Sequence, residues 1–117
     1  MKPEIKQKWL EALRSGEYPQ TRGCLHDEHG FCCLGVLSDL YARKTKDGRW
    51  GKLDDKGGMA FEYGEGSREW GLLPPPVQAW AGLDSDDPQV NNYHISVWND
   101  SDELPFTEIA NMIERDL

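Results

Sequence analysis

The sequence is short of positive charge, of paired cysteines and of long apolar runs, and each shortage excludes something. Thirteen basic residues stand against 21 acidic ones, a net charge of −8. That balance opposes general binding to phosphate backbones, which needs clustered Lys and Arg. The three cysteines are an odd number and two of them are adjacent, a poor arrangement for a disulfide framework. Reduced thiols in a cytoplasmic protein are the expectation. No stretch approaches the length of a membrane span, and Met1-Lys2-Pro3-Glu4 reads as a helix start rather than as part of a signal peptide. Phosphate-cradling loops are missing too. Gly64-Glu65-Gly66-Ser67-Arg68 lacks the lysine and spacing of a P-loop, and no strand–glycine–helix fingerprint of a dinucleotide fold occurs. The acidic turns at Asp84, Asp86 and Asp87 and at Asp100, Asp102 and Glu103 lack the pattern of a calcium loop. Neither a metal nor any other cofactor is expected.

What is present fits one domain. A chain of 117 residues buries enough surface on folding to need no metal or disulfide, and five tryptophans offset a modest apolar content. Pro3 suits a first helical turn, and Ile5, Trp9, Ala12 and Leu13 recur at helical spacing up to Ser15-Gly16, so a helix is predicted over residues 3–15. Cys33, Val36, Leu37, Leu40 and Tyr41 form the stripe of a second helix, over about 31–43, apolar nearly all round at its start and therefore buried on more than one side. Gly35 inside that helix predicts close approach of another backbone. Residues 44–71 are irregular: Asp47-Gly48 is a hairpin signal, and glycines bracket a short strand at 59–63. The prolines at 74–76 open a short helix that ends at Gly82. The alternation from Val90 to Trp98 predicts a strand with Tyr93, Ile95 and Val97 on one face. Pro105 opens a last amphipathic helix carrying Phe106, Ile109, Ala110 and Ile113. The sum is an α+β domain with three to four helices around a small antiparallel sheet.

Two chemistries compete for the cysteine segment. Cys24, His26, His29 and Cys32 are zinc-type ligands within nine residues, but structural zinc sites separate two ligand pairs by a longer loop. Cys32 or Cys33 at a helix start, with His29 close by, is a candidate thiol nucleophile and base. The same cysteines continue an apolar run, where a free thiol behaves as a small hydrophobe, so the inert reading is preferred. Function then moves to the aromatics and amides outside the regular segments. Aromatic faces with convergent amides and an arginine suit a planar, nucleobase-like ligand. Arg68, Tyr93, Trp98 and Asn99 are the residues expected to supply the cationic, aromatic and amide contacts.

The strings Trp9-Leu10-Glu11-Ala12-Leu13-Arg14-Ser15-Gly16, Tyr18-Pro19-Gln20 and Gly30-Phe31-Cys32-Cys33-Leu34-Gly35-Val36-Leu37, with Trp80-Ala81-Gly82-Leu83 and Phe106-Thr107-Glu108-Ile109-Ala110, resemble a family of small uncharacterised proteins of phages and bacteria. That resemblance implies no activity and no catalytic residues. A phage setting implies a protein that acts stoichiometrically, either by sequestering a small nucleotide-derived host signal or by blocking a host protein through acidic loops. A homo-oligomer fits either role, while nucleic acid and membrane are not expected partners.

Overall fold

The computed structural model describes residues 1–117. Helix α1, Pro3–Arg14, starts with proline where its missing N–H costs nothing. It buries Ile5, Trp9, Leu10 and Leu13. Two short strands, β1 (His26–Asp27) and β2 (Gly30–Phe31), pair through the turn between them. They lead into α2, Cys33–Thr45, which buries all of its first seven residues. This helix is the centre of the molecule. Trp9 is fully buried against it and its indole N–H donates to the Cys33 carbonyl at 2.9 Å.

Gly35 shows why the helix can sit so deep. A Cβ at that position would run into the Leu25 backbone, and the Leu25 carbonyl accepts the Cys32 N–H at 3.0 Å. The expected close approach of another backbone is therefore met at Leu25, in the bend just before β1. Cys32 caps the helix through sulfur, its Sγ accepting from the Gly35 N–H at 3.3 Å.

Strands β3 (Arg49–Lys52), β4 (Gly58–Tyr63) and β5 (Ser67–Glu69) complete a five-stranded antiparallel sheet. β4 is its spine: β3 runs along one edge, while β1 and β5 share the other. The Asp47-Gly48 hairpin signal resolves differently from expectation. The β3–β4 hairpin turns between Lys52 and Gly58, and Gly48 instead links α2 to β3 in a left-handed conformation, packed on the Phe61 ring. Helix α3, Pro75–Ala81, stops at left-handed Gly82. Helix α4, Phe106–Asp116, lays Ile109, Ala110 and Ile113 into the core. An Arg14–Glu114 ion pair at 2.9 Å ties it to α1. The α+β class expected from the sequence is the class observed. No helix is long and apolar enough to cross a membrane.

The predicted strand at 90–98 is the main correction. Strands β6 (Gln89–Val90) and β7 (Tyr93–His94) form a separate two-stranded hairpin, after which a π-helical turn runs from Val97–Ser101. Asn91 and Asn92 both adopt positive φ, 50° and 75°, the geometry of a two-residue hairpin turn. That turn interrupts the alternation after two residues. Tyr93 is left 58% exposed while Ile95 is fully buried, so the two do not share a face.

Candidate functional site

The cysteine segment is occupied by structural work. Cys32 and Cys33 are buried, and burial pushes the Cys32 thiol up to about 12 and the Cys33 thiol well above its ordinary value. Cys24, half-buried, is raised to about 11, first by burial and then by the nearby Asp27 carboxylate. A nucleophile needs the opposite shift. His26 stacks flat on Phe31, with ring centroids 3.7 Å apart, and its Nδ1 meets the Gly30 carbonyl. His29 is exposed and faces Glu28 at 3.5 Å. No group of three or more His, Cys, Asp or Glu side chains is placed to hold a metal ion.

Beneath that aromatic stack lies a charged hub that sequence reasoning missed. Asp39 on α2 is nearly buried and its carboxylate accepts from Tyr18 Oη at 2.6 Å and Trp50 Nε1 at 3.1 Å. Arg43, one turn on, meets it at 2.8 Å. Burial, and then the Asp39 carboxylate, raise the Tyr18 phenol. All partners of Asp39 are internal, so the hub locks α2 to the segment around Tyr18 and to β3. The i,i+4 spacing of Asp39 and Arg43 was readable in the sequence, but it marks an ordinary helix ion pair and not the contacts to Tyr18 and Trp50.

The four residues expected to form a ligand site fall into three environments. Asn99 is fully buried. Its Oδ1 accepts from Gln20 Nε2 at 3.0 Å and the Cys33 N–H at 3.2 Å, and its Nδ2 donates to the Thr21 carbonyl at 3.0 Å and Asp100 Oδ1 at 2.8 Å. Every hydrogen-bonding position of that amide is used inside the protein. Trp98 is half-buried, with its indole N–H donating to the Val90 carbonyl at 2.8 Å. It meets Tyr93 edge to face, centroids 5.5 Å apart. Arg68 stands on β5, in a concavity of about 140 Å3 that it shares with Arg49, Glu62 and Tyr63. None of the other three residues lines that concavity.

Around the β6–β7 turn the side chains do converge. Gln89, Asn91, Asn92, Arg115 and Asp116 line an open cleft of about 570 Å3. Asp116 is fixed twice: Arg115 pairs with it at 2.9 Å, and Oδ2 accepts the Asn91 N–H at 2.6 Å. The Arg115 hydrogen bond and then the Asn91 N–H hold its carboxyl down at about 2, so it is a carboxylate at neutral pH. The side-chain amides of Gln89, Asn91 and Asn92 are exposed and make no hydrogen bond within the chain. Tyr93 follows Asn92 directly but does not line the cleft; its exposed ring is braced by Trp98. Gln89 and Arg115 were not among the expected residues. They reach the cleft from β6 and from the end of α4, 26 positions apart in the chain, and only the tertiary fold joins them.

The whole chain, residues 1–117, matches the family described as "Domain of unknown function (DUF8296)". No curated protein and no solved structure matches the chain.

Proposed function

The chain belongs to this uncharacterised family, and we propose that it is a non-enzymatic binding protein whose ligand is a small nucleotide-like molecule held at the β6–β7 turn. One observation carries the reading. Three side-chain amides without internal partners line one cleft, on a hairpin whose Tyr93 ring is exposed and braced. Asn and Gln amides offer a donor and an acceptor each, which matches the edge of a nucleobase, and the exposed Tyr93 ring, beside the cleft rather than in its lining, would supply an aromatic face. The cleft volume of about 570 Å3 is within the usual range for small-molecule sites, roughly 300–1,000 Å3. Asn91 and Asn92 hold left-handed backbone, where glycine is the least strained residue. Asparagine also adopts that backbone readily in a two-residue hairpin turn, so the turn itself presents the two amides side by side.

In this reading Arg115 takes the cationic role and Asn91 and Asn92 the amide roles, while Asn99 supports the segment from within. The resemblance to phage proteins supplies the setting, sequestration of a host signalling nucleotide as an anti-defence measure in the host cytoplasm. Raised thiols argue against the thiol-enzyme alternative. The other alternative, an inhibitor docking on a host protein, draws on Trp70, 52% exposed directly after β5.

A thermal-shift screen against cyclic and linear nucleotides tests the proposal. Stabilisation by at least one of them is expected, because a ligand at a hundred times its Kd adds about 2.7 kcal/mol to stability. No shift across the panel sinks it and leaves the docking reading.

A further inference from the structure

Strands β3, β4 and β5 lie side by side, and their register sets three charged side chains in one row. Arg49 is directly opposite Glu62, and Glu62 is directly opposite Arg68, so all three project from one face of the sheet. The neighbouring Phe61 projects from the other face and is fully buried, which turns the row outward. Arg49 Nε lies 3.3 Å from one Glu62 oxygen and Arg68 Nε lies 3.4 Å from the other. One carboxylate is thus wedged between two guanidiniums, and the row keeps one net positive charge in a chain of net charge −8. Arg68 is fixed further by donating Nη2 to the Lys52 carbonyl at 2.7 Å. The Arg49 Nη atoms and the Ser67 hydroxyl make no hydrogen bond within the chain. A concavity of about 140 Å3 opens on the row, closed by Tyr63, Ser67 and the glycines of the β4–β5 turn.

We propose that this row is an anion site for a dianionic phosphoryl group, with the Glu62 carboxylate as an internal occupant that the ligand displaces. Both Glu62 contacts are longer than the roughly 2.7–2.9 Å of a strong charge-assisted bond. Exposed pairs of this kind contribute about 0–1 kcal/mol, so the carboxylate is held weakly. A phosphoryl group brings a second charge and three strong acceptor oxygens to the same two forks. The volume is well below the roughly 300–1,000 Å3 of sites for drug-sized ligands, which suits a single tetrahedral group. Gly51 on β3 gives the carboxylate its place, since a Cβ there would meet it. Glu65, on the same turn, is the other negative charge nearby; it is exposed and does not line the concavity. The site shares no residue with the amide cleft, so the two stand or fall separately.

The test is a titration of inorganic phosphate into uniformly labelled protein, followed by backbone amide shifts, with sodium chloride at matched ionic strength as control. Phosphate is expected to move the Gly64, Gly66 and Ser67 amides and leave those of residues 89–93 in place. Glu62→Gln removes the internal competitor and is expected to tighten phosphate by up to about fivefold. Unchanged or weaker binding by that variant overturns the proposal, as do equal shifts with chloride. Should Glu62→Gln fail to fold, Arg49→Gln decides, since that side chain is 74% exposed. Loss of the phosphate shifts supports the site and their retention overturns it. A nucleoside monophosphate titrated in parallel separates a free from an esterified group. Both ligands moving the same amides supports recognition of the phosphoryl group, and movement by the nucleotide alone overturns it.

Discussion

Asn99 and Tyr93 sit six positions apart and do opposite things. Asn99 is sealed in the core with all its hydrogen-bonding capacity used, and truncation would strand the Cys33 N–H and the Thr21 carbonyl, while the half-buried Gln20 amide keeps its bond to the Leu104 carbonyl. Each unsatisfied buried group costs about 1–3 kcal/mol, so Asn99→Ala is expected to lose about 3 kcal/mol or more in urea denaturation. Ligand contact does not enter that cost. The thiols make a second residue-scale prediction. Unfolded, Cys32 and Cys33 ionise near their ordinary value of 9; folded, Cys32 holds its proton up to about 12, and burial pushes the Cys33 thiol well above 9. Between those values the unfolded chain has lost protons that the folded chain keeps. The stabilisation is therefore intact below pH 9 and disappears as pH rises above it. The slope is about 1.4 kcal/mol per pH unit for each thiol. Denaturation midpoints measured from pH 7 to 11 are expected to fall steadily above 9, and less steeply in Cys33→Ala.

At the scale of elements, the pieces that could be read from the chain are those whose signal is local. Pro3 with its periodic Ile5, Trp9 and Leu13, the apolar start of α2, the prolines before α3 and Gly82 after it all carry their meaning within one or two turns. Gly35 was legible in kind: a glycine within a buried helix predicts a backbone neighbour, though not that Leu25 is the neighbour. Gly35→Ala drives a methyl into the Leu25 backbone, where neither side can yield, and is expected to lose about 3 kcal/mol, the upper range for overpacking. The same denaturation assay checks it. The 90–98 segment misled because its alternation is real while its turn is stronger. Asn91-Asn92 satisfies the positive-φ demand of a two-residue hairpin, and the chain then coils so that Trp98 folds back on the Val90 carbonyl. Asn-Asn between short apolar runs was the signal available for that turn. Of the Asp39 hub only the Arg43 partner, four residues on along the same helix, was legible; Tyr18 precedes β1 and Trp50 lies on β3, and only the fold brings them to the carboxylate.

For the whole molecule, the fold separates a sealed interior from a decorated surface. No buried side-chain polar atom lacks a hydrogen-bond partner, and Cys32, Cys33 and Asn99 belong to that interior. What remains outside is the amide cleft with Tyr93 and the Arg49–Glu62–Arg68 row. Of the four residues singled out in the sequence, Tyr93 and Arg68 are exposed, Trp98 braces Tyr93, and Asn99 holds the segment from beneath. The cleft itself was only half legible, because Asn91, Asn92 and Tyr93 are contiguous whereas Gln89 and Arg115 meet through the docking of α4 on the hairpin. The most direct measurement is isothermal calorimetry of the best-stabilising nucleotide against the parent chain, Tyr93→Ala and Asn92→Gly. The account predicts saturable one-site binding to the parent, at least tenfold weaker binding by each variant, a loss of about 1.4 kcal/mol or more, and unchanged thermal stability of the unliganded variants. Binding of equal strength by all three proteins, or heat from none of them, would contradict it.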